Sequence, residues 1–120
     1  MVNPLVKELH TLEELEQTFE ESKTHPVLLF KHSNACPISS RAFREFKTYL
    51  ENPDESVSYK LIIVQTARPV SNAIESRLNI LHESPQAILV KNGKGIWNAS
   101  HGAITASRLA ETIQSHKNAD

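Results

Sequence analysis

Cys36 is the only cysteine among the 120 residues, and it stands in the stretch HSNACPIS with a proline directly after it. A cysteine at the start of a helix loses its proton more easily than a free one, because unpaired N–H groups and the helix dipole favour the thiolate. The thiolate is the nucleophile of thiol–disulfide exchange. Ser39 follows where a two-cysteine redox motif would have its second thiol. We therefore predict a reactive thiol that forms a mixed disulfide and cannot resolve it alone.

The side chains around Cys36 could favour the thiolate. Pro37 suits the first position of a helix, because its missing N–H would have no helical partner there. Ser39, one helical turn further on, could donate a hydrogen bond to the sulfur. Three basic residues could add positive charge: Lys31, His32 and Arg41.

Two alternatives stay open for these residues. Cys36 could be an inert, buried thiol, since cysteine is among the most buried residue types. Its place between a polar loop and Pro37 favours the reactive thiol instead. Lys31 and His32 continue an apolar strand, so one of them could simply face solvent.

Pro85 is the second candidate, in the stretch ESPQAILV just before a short apolar run. A proline at such a place commonly ends a helix or begins a strand. It can also follow a cis peptide bond, as about one X–Pro bond in twenty does. The residues alone favour the first interpretation.

Apolar runs predict the strands that must position these residues. Core strands are expected at 27–30, 57–64 and 87–90, after a short extended piece at about 5–9. KNGKG at 91–95 contains the Asn-Gly pair of a hairpin turn, which predicts a last strand at 96–100.

Capping signals and helical spacing predict four helices. One begins at the capping box of Thr11 and Glu14, one at Pro37 and one at Thr105, and another spans 70–80; HSNA and QTARP are predicted loops. The apolar residues expected to face the core are Leu12, Leu15, Phe19, Ile38, Ala42, Phe46, Tyr49 or Leu50, Val70, Ile74, Leu78, Leu81, Ala106, Leu109, Ala110 and Ile113. The order βαβαβαββα predicts an α/β fold with a mixed sheet of about five strands and helices on both faces.

Composition limits the class of protein. The length suffices for one domain, 1–120, with a buried core. A formal charge of −1 gives no indication of nucleic-acid or membrane-surface binding. One cysteine permits no internal disulfide, which fits a reducing compartment, and we recognise neither a signal peptide nor a membrane span. We expect a cytoplasmic monomer.

Cys36, Pro85 and the order of elements together resemble the thioredoxin fold over roughly residues 5–116. In that fold an active cysteine opens a long helix, and a cis-proline before a core strand lies against it. Within it, the chain is similar to the monothiol bacilliredoxin family (YtxJ-like) of Firmicutes. This resemblance is carried by three stretches: KHSNACPIS (31–39), ESPQAILVKNGK (83–94) and WNASHGAIT (97–105).

The resemblance implies a function for Cys36. Its thiolate would attack the bacillithiol sulfur of a mixed disulfide on a client protein, and an external thiol would then resolve the Cys36–bacillithiol adduct. Bacillithiol would be a co-substrate, with no tightly bound cofactor. The implied partners are bacillithiolated client proteins and, downstream, a dithiol bacilliredoxin or a flavin disulfide reductase.

The resemblance also implies residues that bind bacillithiol. Ser84 and Pro85 would hold the adduct, and the stretch His101–Thr105, at a helix N-terminus, would receive a carboxylate. Arg68, in the predicted loop after the second core strand, could add a charge, and Trp97 is a further candidate. Each has a plainer interpretation: Arg68 as a solvated charge, Trp97 as hairpin packing, His101 as a turn residue and Thr105 as a helix cap.

Two rival functions stay open. Monothiol glutaredoxins share an iron–sulfur cluster through one cysteine per subunit, and Cys36 could ligate one, although Pro37 stiffens the loop where those proteins have a glycine. The dispersed histidines lack paired-ligand spacing, so no other metal site is predicted. Alternatively, the chain is a non-enzymatic module whose thiol is regulatory.

Overall fold

The computed structural model describes residues 5–35 and 37–116, in which strands and helices alternate in the predicted order. The strands are β1 (Val6–Glu8), β2 (Val27–His32), β3 (Ser58–Ile63), β4 (Gln86–Lys91) and β5 (Lys94–Ser100). The helices are α1 (Leu12–Glu21), α2 (Pro37–Tyr49), α3 (Arg68–Leu78) and α4 (Ala106–His116), and a 3₁₀ turn at His101–Ala103 precedes α4. No helix in these ranges is both long and apolar enough to cross a membrane.

The strands form one mixed sheet in the order β1-β3-β2-β4-β5. β1, β3 and β2 run parallel, whereas β4 is antiparallel to both β2 and β5. Lys31, near the end of β2, pairs with Gln86, the first residue of β4. The segment that follows β2 and the segment that precedes β4 therefore lie next to each other at the same end of the strands.

The two faces of the sheet are covered by different helices. Leu28 and Phe30 of β2 pack with α2 and α4, a side that we call the α2–α4 face. Val27 and Leu29 point the other way and pack with α1 and α3, on the α1–α3 face. This alternation follows from the two-residue period of a strand, and it decides on which side of the sheet each polar residue of β2 lies.

Local signals were predicted correctly. Thr11 and Glu14 form the reciprocal capping box at the start of α1. Asn92 and Gly93 both adopt positive φ, 54° and 73°, between β4 and β5. This conformation is the one that an Asn-Gly hairpin turn requires.

Some bounds and some orientations were predicted wrongly. β2 runs on to His32, where a loop was expected, because its last residues still pair with β3. α3 begins at Arg68, in the predicted loop, since Pro69 is tolerated in the first helical turn. Leu12, Ile38, Leu81 and Ala110 are exposed rather than in the core. The first two lie at the very start of their helices, Ala110 lies on the outer side of α4, and Leu81 follows the end of α3 at Leu78.

Candidate functional site

The predicted nucleophile, Cys36, lies outside the described residues, so its neighbours define the surroundings. Ala35 ends the loop after β2 and Pro37 begins α2, and both are exposed. The predicted start of a helix directly after the cysteine is thus confirmed. An N-terminal helical turn next to the thiol is the local setting that favours a thiolate.

Ser39 is fully buried, and its hydroxyl is already engaged. Its Oγ accepts a hydrogen bond from the N–H of Ser33, 3.3 Å away, in the loop that leads to Cys36. A hydroxyl that accepts one hydrogen bond can still donate another. Ser39 therefore stabilises the loop that leads to Cys36. Its hydroxyl proton can still be donated in a hydrogen bond.

Gln65, which the sequence did not single out, holds the same loop from the side. Its Nε2 donates to Ser33 Oγ at 2.7 Å, and its Oε1 accepts from the Asn34 N–H at 3.1 Å. Ser33 Oγ also accepts from the Ala35 N–H at 3.3 Å. Gln65 follows β3 in the chain, so only the pairing of β3 with β2 brings it to this loop.

Lys31 and His32 are both buried, which contradicts the expectation that one faces solvent. They lie on opposite faces of the sheet. Lys31 is on the α1–α3 face, where its Nζ lies 3.1 Å from His82 Nδ1 and 3.4 Å from the carbonyl oxygen of Ser71. Burial lowers the pKa of Lys31 to about 8. Its amine thus interacts with α3 and not with the α2–α4 face.

His32 lies on the α2–α4 face against Phe43 of α2, with ring centroids 4.5 Å apart. Burial lowers the pKa of His32 below the usual histidine value. The backbone at Ser39 acts in the opposite direction, and the positive charge of Lys47 lowers the pKa further. The ring is therefore neutral at pH 7. Its Nδ1 is buried without a hydrogen-bond partner among the described residues.

Pro85 follows a cis peptide bond with Ser84, as the resemblance implied. The segment around it is tied down on both sides. The His82 N–H donates to Glu75 Oε2 at 2.7 Å, Glu83 pairs with His101 at 3.4 Å, and the His101 N–H donates to the Pro85 carbonyl at 3.2 Å. His101 adopts left-handed backbone with φ 54°, which is uncommon outside glycine.

The hydroxyl of Ser84 differs from the neighbouring polar side chains. Its Oγ is buried and has no hydrogen-bond partner among the described residues. By contrast, the side chains of His82, Glu83 and Gln86 all have one. A buried hydroxyl without a partner is costly, although Ser84 as a whole residue is only partly buried.

A groove of about 440 Å³ opens beside Pro37, between α2 and the segment that leads into α4. It contains four of the predicted site residues: Pro37, Arg41, His101 and Thr105. Ile38, Ala42 and Ile104 make part of its wall apolar, and Glu45 adds a carboxylate. The groove thus combines an apolar surface with charges of both signs, next to the loop that carries the cysteine.

The N-terminus of α4 is partly occupied by the protein itself. Thr105 caps the helix, since its Oγ1 accepts from the Arg108 N–H at 3.2 Å. The Ala106 N–H donates to Glu45 Oε1 at 2.9 Å. A ligand carboxylate at this helix end would therefore meet the Glu45 carboxylate as well as the remaining N–H groups.

The other predicted site residues lie outside the groove. Arg68 begins α3 and is exposed, and Trp97 of β5 is half-buried against the core of the α2–α4 face. They do not line the groove, and neither do the other predicted site residues: Lys31, His32, Ser39, Ser84 and Pro85. Within residues 5–35 and 37–116, no cluster of three His, Asp or Glu side chains could hold a metal ion.

Comparison with known proteins gives both a family and a fold. A family model described as monothiol bacilliredoxin BrxC matches residues 7–109. A solved thioredoxin-fold protein to which oxidoreductase activity is attributed has 36% identity and a TM-score of 0.78, over 89% of this chain and 92% of that one.

Thioredoxins show the same fold at low identity. The thioredoxin of Fasciola hepatica superposes with a TM-score of 0.75 at 18% identity, over 92% of this chain and 99% of its own. A thioredoxin of Nicotiana alata gives 0.76 at 16% identity, over 98% of each chain. At such identity these two comparisons establish the fold alone.

Proposed function

Because the chain belongs to the monothiol bacilliredoxin family and has the thioredoxin fold, with the redox function that this implies, we propose that Cys36 removes bacillithiol from mixed disulfides on client proteins. The groove beside Pro37 is the observation that carries this proposal. It offers a small thiol a place next to the cysteine loop, with Arg41 and His101 for its carboxylates.

The proposed reaction exchanges one disulfide for another. The Cys36 thiolate attacks the bacillithiol sulfur of the client disulfide, that S–S bond breaks, and the client leaves as a thiolate that takes a proton from solvent. A disulfide between Cys36 and bacillithiol remains. No net oxidation occurs in this step, because one disulfide is consumed for each one formed.

A second thiol must complete the cycle. Ser39 stands where a resolving cysteine would be, and its oxygen cannot attack a disulfide. A second bacillithiol would attack the adduct and leave as bacillithiol disulfide, with Cys36 restored as a thiol. A flavin disulfide reductase would then reduce that disulfide, or a dithiol bacilliredoxin would accept the adduct directly.

The polar groups near the cysteine fit the chemistry of bacillithiol. Its malate carboxylates suit Arg41 and, when protonated, His101, while its amine suits the carboxylate of Glu45. Ser84, a partly buried residue next to Pro85, is a further candidate for a contact with the adduct. Arg68 and Trp97 do not line the groove, and the family resemblance is what suggests a binding role for them.

The test is the intact mass of each protein after the reduced chain is mixed with a bacillithiolated client. We expect a single bacillithiol on the chain and the loss of bacillithiol from the client. Cys36→Ser should leave the client unchanged, and a glutathionylated client in parallel measures selectivity for the small thiol. If a folded, reduced chain takes up neither adduct, the proposal is wrong.

A further inference from the structure

A buried network on the α1–α3 face joins β2 to the segment before Pro85, and the thiol chemistry above does not use it. The side chain of Lys31 is fully buried, which is rare for a lysine without a partner. Its Nζ lies 3.1 Å from His82 Nδ1 and 3.4 Å from the Ser71 carbonyl oxygen. Lys31 thus anchors His82, which lies three residues before Pro85.

His82 is held by its backbone as well as by its ring. Its N–H donates to Glu75 Oε2 at 2.7 Å, and its Nδ1 also lies 3.3 Å from Ser71 Oγ. Glu75 and Ser71 both belong to α3. The start of the segment His82–Pro85 is therefore fixed to β2 by Lys31 and to α3 by these two residues.

The far end of the same segment is fixed too. Gln86 pairs with Lys31 in the sheet, and its Nε2 donates to the Leu81 carbonyl at 3.1 Å. Ser84, between the two anchored ends, keeps its buried hydroxyl unpartnered. The network therefore fixes the segment that carries this buried, unpartnered hydroxyl.

We propose that Lys31 and His82 are positioning residues for thiol transfer: their contact holds the segment His82–Pro85 so that Ser84 can meet the substrate, and protonation of His82 releases it. The kinetic part of this inference rests on the proposed function. The structural part, that His82 controls the conformation around Ser84, does not depend on it.

The chemistry of the contact explains why it should respond to protons. A lysine ammonium group can only donate, so Nδ1 of His82 must accept, which it can do only while the ring is neutral. A protonated ring would direct an N–H at the ammonium group in a buried place. Burial lowers the pKa of His82, and the charge of Lys31 lowers it further.

The other charged groups near His82 are few. Glu75 of α3 and Glu83 of the same segment favour the protonated ring, whereas Arg68 at the start of α3 opposes it. Glu83 is paired with His101 and Glu75 accepts the His82 N–H. We therefore expect release with a midpoint below the usual histidine pKa.

Two variants separate the contact from its titration. His82→Asn places an amide oxygen near the position of Nδ1, so it can accept from Lys31 but cannot titrate. Lys31→Met keeps the length of the buried side chain and removes the donor. His10→Asn, at an exposed histidine before α1, is the control.

The readout that needs no client is the backbone amide resonance of Ser84 followed over pH 4 to 8 by ¹⁵N–¹H NMR. In the wild type it should titrate with a midpoint below the usual histidine value of about 6.5. In Lys31→Met the midpoint should rise, and in His82→Asn the resonance should stay flat. A Ser84 resonance that ignores pH in the wild type, or titrates alike in all variants, overturns the inference.

The kinetic readout is kcat for bacillithiol transfer over the same pH range. Protonation of the Cys36 thiolate should slow every variant at acid pH. The wild type should lose further activity through His82, so His82→Asn should match it near pH 7 within about twofold and show a smaller loss at acid pH. Lys31→Met should be slower by about tenfold at pH 7, as expected for a displaced contact group, while melting no lower than the wild type. Wild-type rates in Lys31→Met would contradict the inference. If the wild type transfers nothing, the proposed function fails by itself, and the NMR titration still decides the role of His82.

Discussion

Ser39 stands where a two-cysteine motif has its second thiol, and its hydroxyl also supports the loop that leads to Cys36. It is fully buried and accepts the Ser33 N–H in the cysteine loop. A buried N–H that loses its acceptor typically costs about 1–3 kcal/mol, and one at a partly buried residue such as Ser33 costs less. A change at Ser39 therefore affects both the loop and the chemistry.

Two variants of Ser39 separate these effects. Ser39→Ala should lower the free energy of unfolding by about 1–2 kcal/mol, because the Ser33 N–H is left without its partner. Ser39→Cys restores a second thiol, so the bacillithiol adduct on Cys36 should be displaced within the protein. Intact mass should then show a chain lighter by two hydrogens rather than a bacillithiol adduct. Persistence of the adduct would show that position 39 cannot reach the sulfur.

His32 offers a prediction on stability and pH. Its pKa is lowered, so the folded protein resists protonation and stability should fall as pH drops below the usual histidine value of about 6.5, until the folded ring is protonated too. His32→Phe removes this dependence and also the unpartnered Nδ1. We expect a gain of about 1 kcal/mol at pH 7 and more at pH 5, measured by urea unfolding. The exposed His10→Asn variant should behave as the wild type; a loss of stability in His32→Phe would count against a neutral ring with an unpartnered Nδ1.

Single residues show what the sequence can and cannot predict. The capping box of Thr11 and Glu14 was predicted correctly because all its atoms come from one turn of chain. The burial of Lys31 was not, because its partner His82 is 51 residues away. Gln65 was missed for the same reason, since a glutamine after a strand carries no local signal.

At the scale of elements, α2 begins directly after Cys36 and also contributes residues to the groove. Its outer side forms one wall of the groove, with Arg41 facing the segment at His101. Arg44 belongs to the same helix and is also exposed, but it does not line the groove. The two arginines are therefore a matched pair for testing whether the groove binds an anion.

Arg41→Glu should raise the KM for a bacillithiolated peptide, because it replaces an attractive charge with a repulsive one. We expect an increase of about tenfold at low salt, which corresponds to about 1.4 kcal/mol, and a smaller one at high salt, where exposed charges are screened. Arg44→Glu should change KM by less than about twofold. Equal effects of the two changes would mean that only the net charge matters and not the groove.

Elements with strong periodicity were predicted well, and their ends less so. The apolar run predicted β2 only to Phe30, and the predicted loop HSNA began at His32, although Lys31 and His32 both still pair with β3. α3 was begun too late because Pro69 looked like the end of a loop and not the first turn of a helix. In both cases a neighbouring element decides the boundary, which the local residues do not reveal.

At the scale of the whole molecule, β2 separates two chemically different sides. His32 faces α2 on the α2–α4 face, whereas Lys31 faces α3 with a buried charge. The fold itself followed from the order of elements and the resemblance, and the family and solved structures confirm it. The distribution of the site residues between the two faces could not be predicted in this way, because it depends on the register of β2 with its neighbours.

Lys31 should make stability depend on pH in the alkaline range. Its pKa is about 8 in the folded protein against 10.5 for a free side chain, so the unfolded chain binds more protons between these values. Stability of the wild type should therefore rise with pH across this window, by about 3 kcal/mol relative to Lys31→Met. Lys94→Met, at an exposed position of β5, should show a constant difference from the wild type. A constant difference for Lys31→Met would contradict a charged, buried amine.

The buried hydroxyl of Ser39 also has a consequence for how such a protein would behave in a cell. If the proposed reaction holds, each molecule stops after one exchange until the surroundings supply another thiol. The fraction that carries an adduct would then follow the ratio of free thiol to disulfide around it. The fraction of adduct would therefore report how oxidised the thiol pool is. Removal of bacillithiol from client proteins would stop when that pool is oxidised.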